Sequence, residues 1–243
     1  MIDLHSHLLP GIDDGAVDMA TALEMARLAV ADGITHSVLT PHLHGGRWDN
    51  RAGSVSAHLD AFRTALEEAG IDLQVSYSAE VRIGPEILEW VASDDITFLG
   101  QWEGQRVLLL ELPHGQIPPG ADKLTAWLLN EGIRPMIAHP ERNKFVLRDL
   151  DAIQPFIEQG CLLQVTAGSV AGQFGEPARV RATELLQRGW VTILATDAHS
   201  VEWRPPNLAD GRRAAEALVG ESESWALVRE RPWQIAETRF ATR

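Results

Sequence analysis

A single cysteine, Cys161, is the only thiol in this 243-residue chain. One thiol can form neither an internal disulfide nor a thiolate metal cage, which suits a reducing compartment. Set in the apolar run Gly160–Val165, Cys161 reads as a buried core residue. Runs of Lys and Arg are also missing: 21 basic residues stand against 34 acidic ones, a formal charge of −13. Such a surface repels nucleic-acid backbones and anionic membranes. No stretch of about 18 apolar residues occurs, and Met1 runs into Ile2-Asp3-Leu4-His5 without a basic or signal-like leader. The expectation is a soluble, cytoplasmic protein with no nucleic-acid partner and no membrane insertion. Absent too are Gly-x-Gly-x-x-Gly, a P-loop and a Cys-x5-Arg loop, so nucleotide cofactors and cysteine-based phosphatase chemistry lack support.

What is present is an alternation of short apolar runs with helical patterns. Met1–Leu4, Ser37–Thr40, Leu73–Ser76, Val107–Leu110, Arg134–Ala138, Leu162–Thr166 and Val191–Ala195 read as strands. Between them Ala20–Ala31, Ser54–Ala69, Ala121–Glu131, Leu150–Gln159 and Ala178–Arg188 read as helices; Leu23, Ala26 and Val30 share one face of the first. Gly33, Gly70, Gly132, Gly160 and Gly189 stand where these helices should stop. Seven strands alternating with helices predict a parallel, barrel-like α/β domain. With no linker, repeat or low-complexity block, residues 1–243 read as one domain whose last part, 220–243, is a tail with a helix around Ser222–Glu230.

The polar residues with chemical potential recur at strand ends. His5 and His7 follow the first strand, His42 the second and Glu80 the third; Glu111 closes the fourth, His139 the fifth, and Asp197 with His199 the seventh. In a parallel barrel those ends converge on one face, where such folds place active sites. A lone histidine near a strand end is more often hydrogen-bonded than metal-bound. Chance accounts poorly for so many at successive ends, and burying them without cations is costly for each unpaired charge. Imidazoles mixed with carboxylates and no thiols suit Zn2+, Mn2+ or Fe2+. In His-Ser-His the two imidazoles fall on the same side of an extended backbone and can chelate one ion together.

The opening Met-Ile-Asp-Leu-His-Ser-His-Leu-Leu-Pro-Gly-Ile-Asp-Asp-Gly resembles that of bacterial protein-tyrosine phosphatases of capsular and exopolysaccharide operons, in the polymerase-and-histidinol-phosphatase (PHP) superfamily. Thr40-Pro41-His42, Ala79-Glu80-Val81, Leu110-Glu111-Leu112, Ile137-Ala138-His139-Pro140-Glu141-Arg142, Gln164-Val165-Thr166-Ala167-Gly168-Ser169 and Thr196-Asp197-Ala198-His199 look like that family's blocks in its order. The resemblance implies a distorted TIM-like (β/α)7 barrel of the PHP type. It implies three divalent ions, Mn2+ first with Fe2+ or Zn2+ as alternatives, on His5, His7, Asp14, His42, Glu80, Glu111, His139, Asp197 and His199. Asp14 enters only by this likeness; by itself it reads as a turn or capping residue. Arg142 and Arg204 enter the same way, as bidentate clamps on phosphate oxygens. Three divalent ions outweigh the four carboxylates of that set, so the site would be locally positive on an acidic chain. The implied reaction is in-line attack of a metal-activated hydroxide on phosphotyrosine, with no phosphoenzyme. The implied substrate is the tyrosine-rich tail of a polysaccharide-assembly tyrosine autokinase.

Two other readings share the framework. A small-molecule phosphatase of the histidinol-phosphate kind would keep the metals, although those relatives resemble this chain with a histidine in place of Asp14. A non-catalytic, metal-stabilised binding module is the other, and the intact ligand set and both arginines argue against it. His36 and His58 read as structural, whereas His44 and His114 follow ligands closely enough for a rim role. Of the eight tryptophans, Trp48 and Trp203 lie in loops beside ligands and could flank an aromatic phosphoester. Cys161→Ser is expected to leave turnover intact while chelation abolishes it; a folded but inactive Cys161→Ser variant would reveal thiol chemistry.

Overall fold

The computed structural model describes residues 1–240, so the last three residues of the expected domain lie outside the described residues. Among the described residues eleven strands form: β1 (Ile2–Asp3), β2 (His36–Leu39), β3 (His42–His44), β4 (Trp48–Asp49), β5 (Gln74–Tyr77), β6 (Glu80–Arg82), β7 (Gly100–Trp102), β8 (Gln105–Glu111), β9 (Ile133–Ala138), β10 (Leu162–Thr166) and β11 (Ile193–Ala195). Every expected strand has a counterpart. The larger number arises partly because the second and third expected strands each continue as a short second piece. Pro41, which has no N–H to give, falls at the break between β2 and β3. Backbone bonds carry the pairing across the break, from Ser78 N–H to Leu39 O (2.8 Å) and from Glu80 N–H to Pro41 O (3.1 Å).

The first pieces form a three-stranded parallel sheet, β1-β2-β5, and the second pieces join an eight-stranded sheet in the order β11-β10-β9-β8-β6-β3-β4, with β7 also on β8. The architecture is mixed α/β, and its strands pair as two sheets rather than one. A parallel bridge from Ser6 to Ala198 links them at one end, supported by Asp197 N–H to His5 O and His7 N–H to Ala198 O, both 2.8 Å.

Period-two alternation divides the buried side chains into two cores. Val107 and Leu109 of β8, Met136 and Ala138 of β9, Leu162 of β10 and Ile193 of β11 belong to an inner cluster; Leu108, Leu110, Ile137, Leu163 and Leu194 face the helix-side cluster. Glu111 and Asp197 continue the inner phase of their strands. The helices 19–31, 52–68, 121–130 and 176–187 match expectation closely, whereas the expected helix 150–159 splits into a 3-10 turn, Leu150–Ile153, and a short helix, Gln154–Glu158. Pro155 follows that junction. All five stop glycines adopt positive φ, between +64° and +92°. No helix among the described residues is long and apolar enough to cross a membrane.

The tail is structural rather than peripheral. Helical segments 221–225, 226–230 and 231–240 follow one another, and Ile235 and Ala236 of the last belong to the inner cluster. Gly100 makes that seating possible: its φ is +146°, and a Cβ there would lie 1.9 Å from the Ile235 carbonyl oxygen. Gly100→Ala is expected to cost about 2–4 kcal/mol, read as a lowered denaturation midpoint; an unchanged midpoint would contradict this packing.

Candidate metal centre

All nine residues expected as ligands come together, eight from the ends of strands or just past them and Asp14 from the loop that follows His7. His5 and His7, two apart on the segment leaving β1, bring their Nε2 atoms to 3.3 Å. His42 opens β3 and pairs in register with Glu80 of β6, which in turn lies beside β8, the strand that Glu111 closes. His139 and Asp197, just past β9 and β11, both adopt left-handed backbone, φ +35° and +52°. Such a conformation costs roughly 1–3 kcal/mol for a residue with a Cβ, and such residues cluster at functional sites.

Glu80 is the hub. Its carboxylate is buried and lies 2.8 Å from His139 Nε2, 2.8 Å from His42 Nδ1, 3.4 Å from His5 Nε2 and 3.5 Å from His7 Nε2. Burial alone would raise its pKa, but the positive character of His5 and His42 holds it well below the usual carboxylate range. Asp197, equally buried, receives Arg142 and Arg204 on one oxygen and has His5 3.3 Å from the other. There too burial is outweighed, by Arg142, His5 and Arg204, and the pKa falls. Asp14 is half exposed and completes the outer side, 3.2 Å from His42 and 3.5 Å from His199. Glu111 pairs with Arg82 at 2.8 Å, yet burial and the nearby Glu80 push its carboxyl up.

Three of the imidazoles are oriented from behind. Asp13 takes His7 Nδ1 at 2.7 Å and also accepts the backbone N–H groups of His42 (3.1 Å) and Gly15 (2.9 Å). Gln164 Oε1 sits 2.9 Å from His5 Nδ1, and the backbone carbonyl of Asp197 2.9 Å from His199 Nδ1. With Nδ1 occupied, each ring turns Nε2 toward the centre, the arrangement that ligating histidines usually show. Asp3, buried below, accepts from Thr196 N–H (3.0 Å) and its hydroxyl and from His5 N–H (3.3 Å), tying the β1 segment to that of Asp197. Its pKa is pushed up to about 6 by burial. Sequence reasoning passed over Asp13, Asp3 and Gln164. The doubled Asp-Asp of the first motif was the available signal for Asp13, because two adjacent carboxylates point different ways and can hold different partners.

The arrangement fits divalent ions. Four groups, His7/Asp14/His42/His199, His5/His7/Glu80, His5/His139/Asp197 and His42/Glu80/Glu111, each keep their donor atoms within 4.8 Å of one another. Metal bonds of about 2.0–2.3 Å from a shared point demand such spacing. Glu80 Oε2 is buried without a well-formed hydrogen bond, an acceptor suited to a cation. Burial would lower the pKa of His42, but Glu80 and Asp14 lift it to about 11; against the same burial Asp13 lifts His7 to about 9. His139 moves the other way, to about 4, because burial and Arg142 disfavour its charge. Protons on His7 and His42 thus stand where cations would neutralise the carboxylates, and metal loading near neutral pH should release them.

The cavity over these donors is about 210 Å3, and Arg47, Arg82, Arg142 and Arg204 all line it. Phe174 supports two of them, 4.8 Å from the Arg142 guanidinium and 5.8 Å from that of Arg204. Arg204 Nε is buried without a hydrogen-bond partner. Trp48 stacks on His42 (4.7 Å, 15°) with Arg47 at 3.8 Å, and both Trp48 and His44 line the cavity. His114 and Trp203 do not line it; Trp203 is 88% exposed in the loop before Arg204. His36 packs edge-on to Trp233 and Phe240, and His58 lies exposed on its helix. Cys161 is buried away from the site, and burial pushes its thiol up to about 12.

The family model described as capsular polysaccharide synthesis, CpsB/CapC, matches residues 1–237. The tyrosine-protein phosphatase YwqE of Bacillus subtilis (strain 168) is 35% identical over 204 residues, 84% of this chain and 79% of its own. The tyrosine-protein phosphatase CpsB of Streptococcus pneumoniae is 26% identical over 244 residues, 97% and 98% of the two chains. Among solved structures, one from the crystal structures of YwqE from Bacillus subtilis and CpsB from Streptococcus pneumoniae, described as unique metal-dependent tyrosine phosphatases, gives a TM-score of 0.91 at 30% identity, covering 98% of this chain and 95% of that one. A histidinol phosphate phosphatase from Lactococcus lactis subsp. lactis Il1403, complexed with zinc, L-histidinol and phosphate, gives 0.54 at 12% identity over 92% and 93%, a likeness of fold alone.

Asp13→Asn removes the charge that fixes His7 while keeping its size. The variant is expected to fold but to hold divalent metal roughly 10–100-fold more weakly, measured as metal retained on dialysis. Undiminished retention would show that Asp13 serves the loop only.

Proposed function

Because the chain belongs to the CpsB/CapC family of capsular polysaccharide synthesis, we propose that it is a metal-dependent protein-tyrosine phosphatase that hydrolyses phosphotyrosine on a protein partner. The observation that carries the reading is the convergence of nine His, Asp and Glu side chains with two arginines that both reach Asp197. The finer reading has three divalent ions, Mn2+ first and Fe2+ or Zn2+ as alternatives, on His5, His7, Asp14, His42, Glu80, Glu111, His139, Asp197 and His199. It takes the fold as one domain, a distorted (β/α)7 barrel of the PHP type broken into two sheets, working in the cytoplasm. The partner is the tail of a polysaccharide-assembly tyrosine autokinase.

Divalent ions bound there supply Lewis-acid charge that acidifies a water nucleophile and offsets the charge of the phosphoryl group. The protein's own part is to hold that group. Arg142 and Arg204 are placed to clamp non-bridging oxygens, and the buried, unpaired Arg204 Nε is a free donor for one of them. Phe174 packs against both guanidiniums, a cation–π contact that limits their freedom. Asp13, Gln164 and the Asp197 carbonyl hold three imidazoles in one tautomer, so the donors need not reorganise during turnover. Among the described residues no Cys, Ser or Tyr lines the cavity to act as a covalent nucleophile. Tyrosine, with a free pKa of roughly 10, leaves more readily than an alkyl alkoxide, so weak or absent general-acid assistance would bias such a site toward aryl phosphates.

Metal-stripped protein, assayed with and without Mn2+, is expected to hydrolyse phosphotyrosine peptide only with metal and to leave phosphoserine peptide and histidinol phosphate largely untouched. Turnover of histidinol phosphate alone would keep the site and move the function; no turnover with metal bound would favour a binding module. His139→Ala and Asp197→Ala should lose metal and activity together. Arg142→Ala should keep its metal and lose activity, and metal loss in that variant would reassign Arg142 to the metal shell.

A further inference from the structure

Four arginines line the metal cavity, and three of them already face a carboxylate: Arg82 pairs with Glu111 at 2.8 Å, and Arg142 and Arg204 both reach Asp197. Arg47 is the exception. Among the described residues it makes no ion pair, and the other carboxylates of the cavity are engaged with imidazoles, Asp14 with His42 and His199 and Glu80 with His42 and His139. Asp49, two residues further along, pairs with Arg51 at 2.7 Å.

The local fold holds this side chain in place. β3 and β4 form an antiparallel hairpin with Leu43 opposite Asp49 and His44 opposite Trp48, closed by Arg47 N–H donating to His44 O at 3.0 Å. Gly46, at φ +77°, supplies the left-handed residue that so tight a connection needs. Asn50 fastens the base of the hairpin, its Nδ2 donating to His42 O and to Ile12 O, both at 3.0 Å. The Arg47 guanidinium lies 3.8 Å from the Trp48 ring, and Trp48 stacks in turn on His42 at 4.7 Å. Guanidinium, indole and imidazole thus lead from the rim to the metal donors, each resting on the next. Arg47 is exposed and Trp48 half-buried, which puts the unpaired charge at the mouth of the cavity.

We propose that Arg47 is a third phosphate-binding arginine, which receives the phosphoryl group of the substrate at the mouth of the cavity, and that Trp48 is the positioning residue that aims it. The inference rests on the phosphatase reading of the site and adds to the two arginines already placed there. The chain's charge of −13 opposes the approach of any phosphoester, and an uncompensated cation at the entrance offsets that repulsion where the substrate arrives. A guanidinium presents paired N–H donors that match two phosphoryl oxygens, and a stacked one loses little freedom on binding. Arg142 and Arg204 rest on Phe174 as Arg47 rests on Trp48, so the cavity repeats one device for all three. A phosphoryl group fits better than a carboxylate from the partner's flanking sequence, because Arg47 lines the cavity itself and about 210 Å3 holds little beyond a phosphoryl group and part of a phenyl ring.

The test uses the full-length enzyme at saturating Mn2+, with p-nitrophenyl phosphate, phosphotyrosine peptides of uncharged or acidic flanks, and inorganic phosphate as competing ligand. Arg47→Met keeps the length of the stem and removes the charge. It is expected to raise KM for every substrate, and the inhibition constant of phosphate, about tenfold, equivalent to ~1.4 kcal/mol, with kcat and bound metal little changed. Unchanged KM and phosphate inhibition overturn the proposal. So does a penalty confined to peptides with acidic flanks, which would assign Arg47 to the partner's neighbouring residues, and so does loss of metal, which would make it part of the metal shell. Trp48→Leu should raise KM in the wild-type background and add little to Arg47→Met; equal effects in both backgrounds overturn the positioning role of Trp48. A wild-type enzyme that binds metal yet turns over no phosphoester fails the phosphatase reading instead. Calorimetry with inorganic phosphate then decides Arg47, weaker binding by Arg47→Met supporting the proposal and equal binding overturning it.

Discussion

A carboxylate at the bottom of the site, Glu80, has four imidazoles within 3.5 Å and no exposure to water on its side chain. An isolated charge so placed would cost several kcal/mol, and it is tolerable only where positive or hydrogen-bonding groups surround it. Those groups come from far apart in the chain: His5 and His7 from the first strand end, His42 from the start of β3, His139 from the end of β9. The requirement that they meet at Glu80 dictates that the strands terminate together on one face. It also accounts for the left-handed backbone at His139 and Asp197, where the chain must turn sharply to deliver a side chain inward.

Around that hub the protein spends its buried polar groups on orientation. Asp13, Gln164 and the Asp197 carbonyl fix ring tautomers, and Asp3 ties the segment of β1 to the one leaving β11 through Thr196. Glu141, buried, accepts from Thr166 N–H (3.0 Å) and the Ser169 hydroxyl (2.7 Å), anchoring the 3-10 turn that carries Arg142. Each device removes freedom from a group that must already be aimed when the substrate arrives, which is how preorganised sites avoid reorganisation during the reaction. The acidic net charge of the chain is compatible with an anionic ligand because four arginines line the cavity beside its four carboxylates, and divalent ions held there would tip the local balance positive.

The mixed α/β fold serves this concentration. Strands whose alternate side chains face an inner apolar cluster can present polar residues in the same phase at their ends, as β8 does with Val107, Leu109 and then Glu111. The C-terminal helix closes that cluster from within, through Ile235 and Ala236 over Gly100, so the part of the chain farthest in sequence from His5 supports the same inner core.

The sequence by itself determined the alternation of strands and helices, the stop glycines and the strand-end positions of eight of the nine converging residues. These signals are local: side-chain periodicity, turn chemistry and the recurrence of His, Asp and Glu after apolar runs. Asp14, Arg142 and Arg204 were legible only as parts of motifs resembling a family, because a turn Asp and surface arginines carry no local mark of their role. Tertiary structure alone decided the breaks of two strands into separate sheets, the split of helix 150–159 and the roles of Asp13, Asp3 and Gln164. All of these depend on which distant backbone or side chain arrives alongside. Asp13 shows the reason: its carboxylate is defined by His7, His42 and Gly15, and only the folded chain brings back a residue 29 positions on so that His42 N–H meets it.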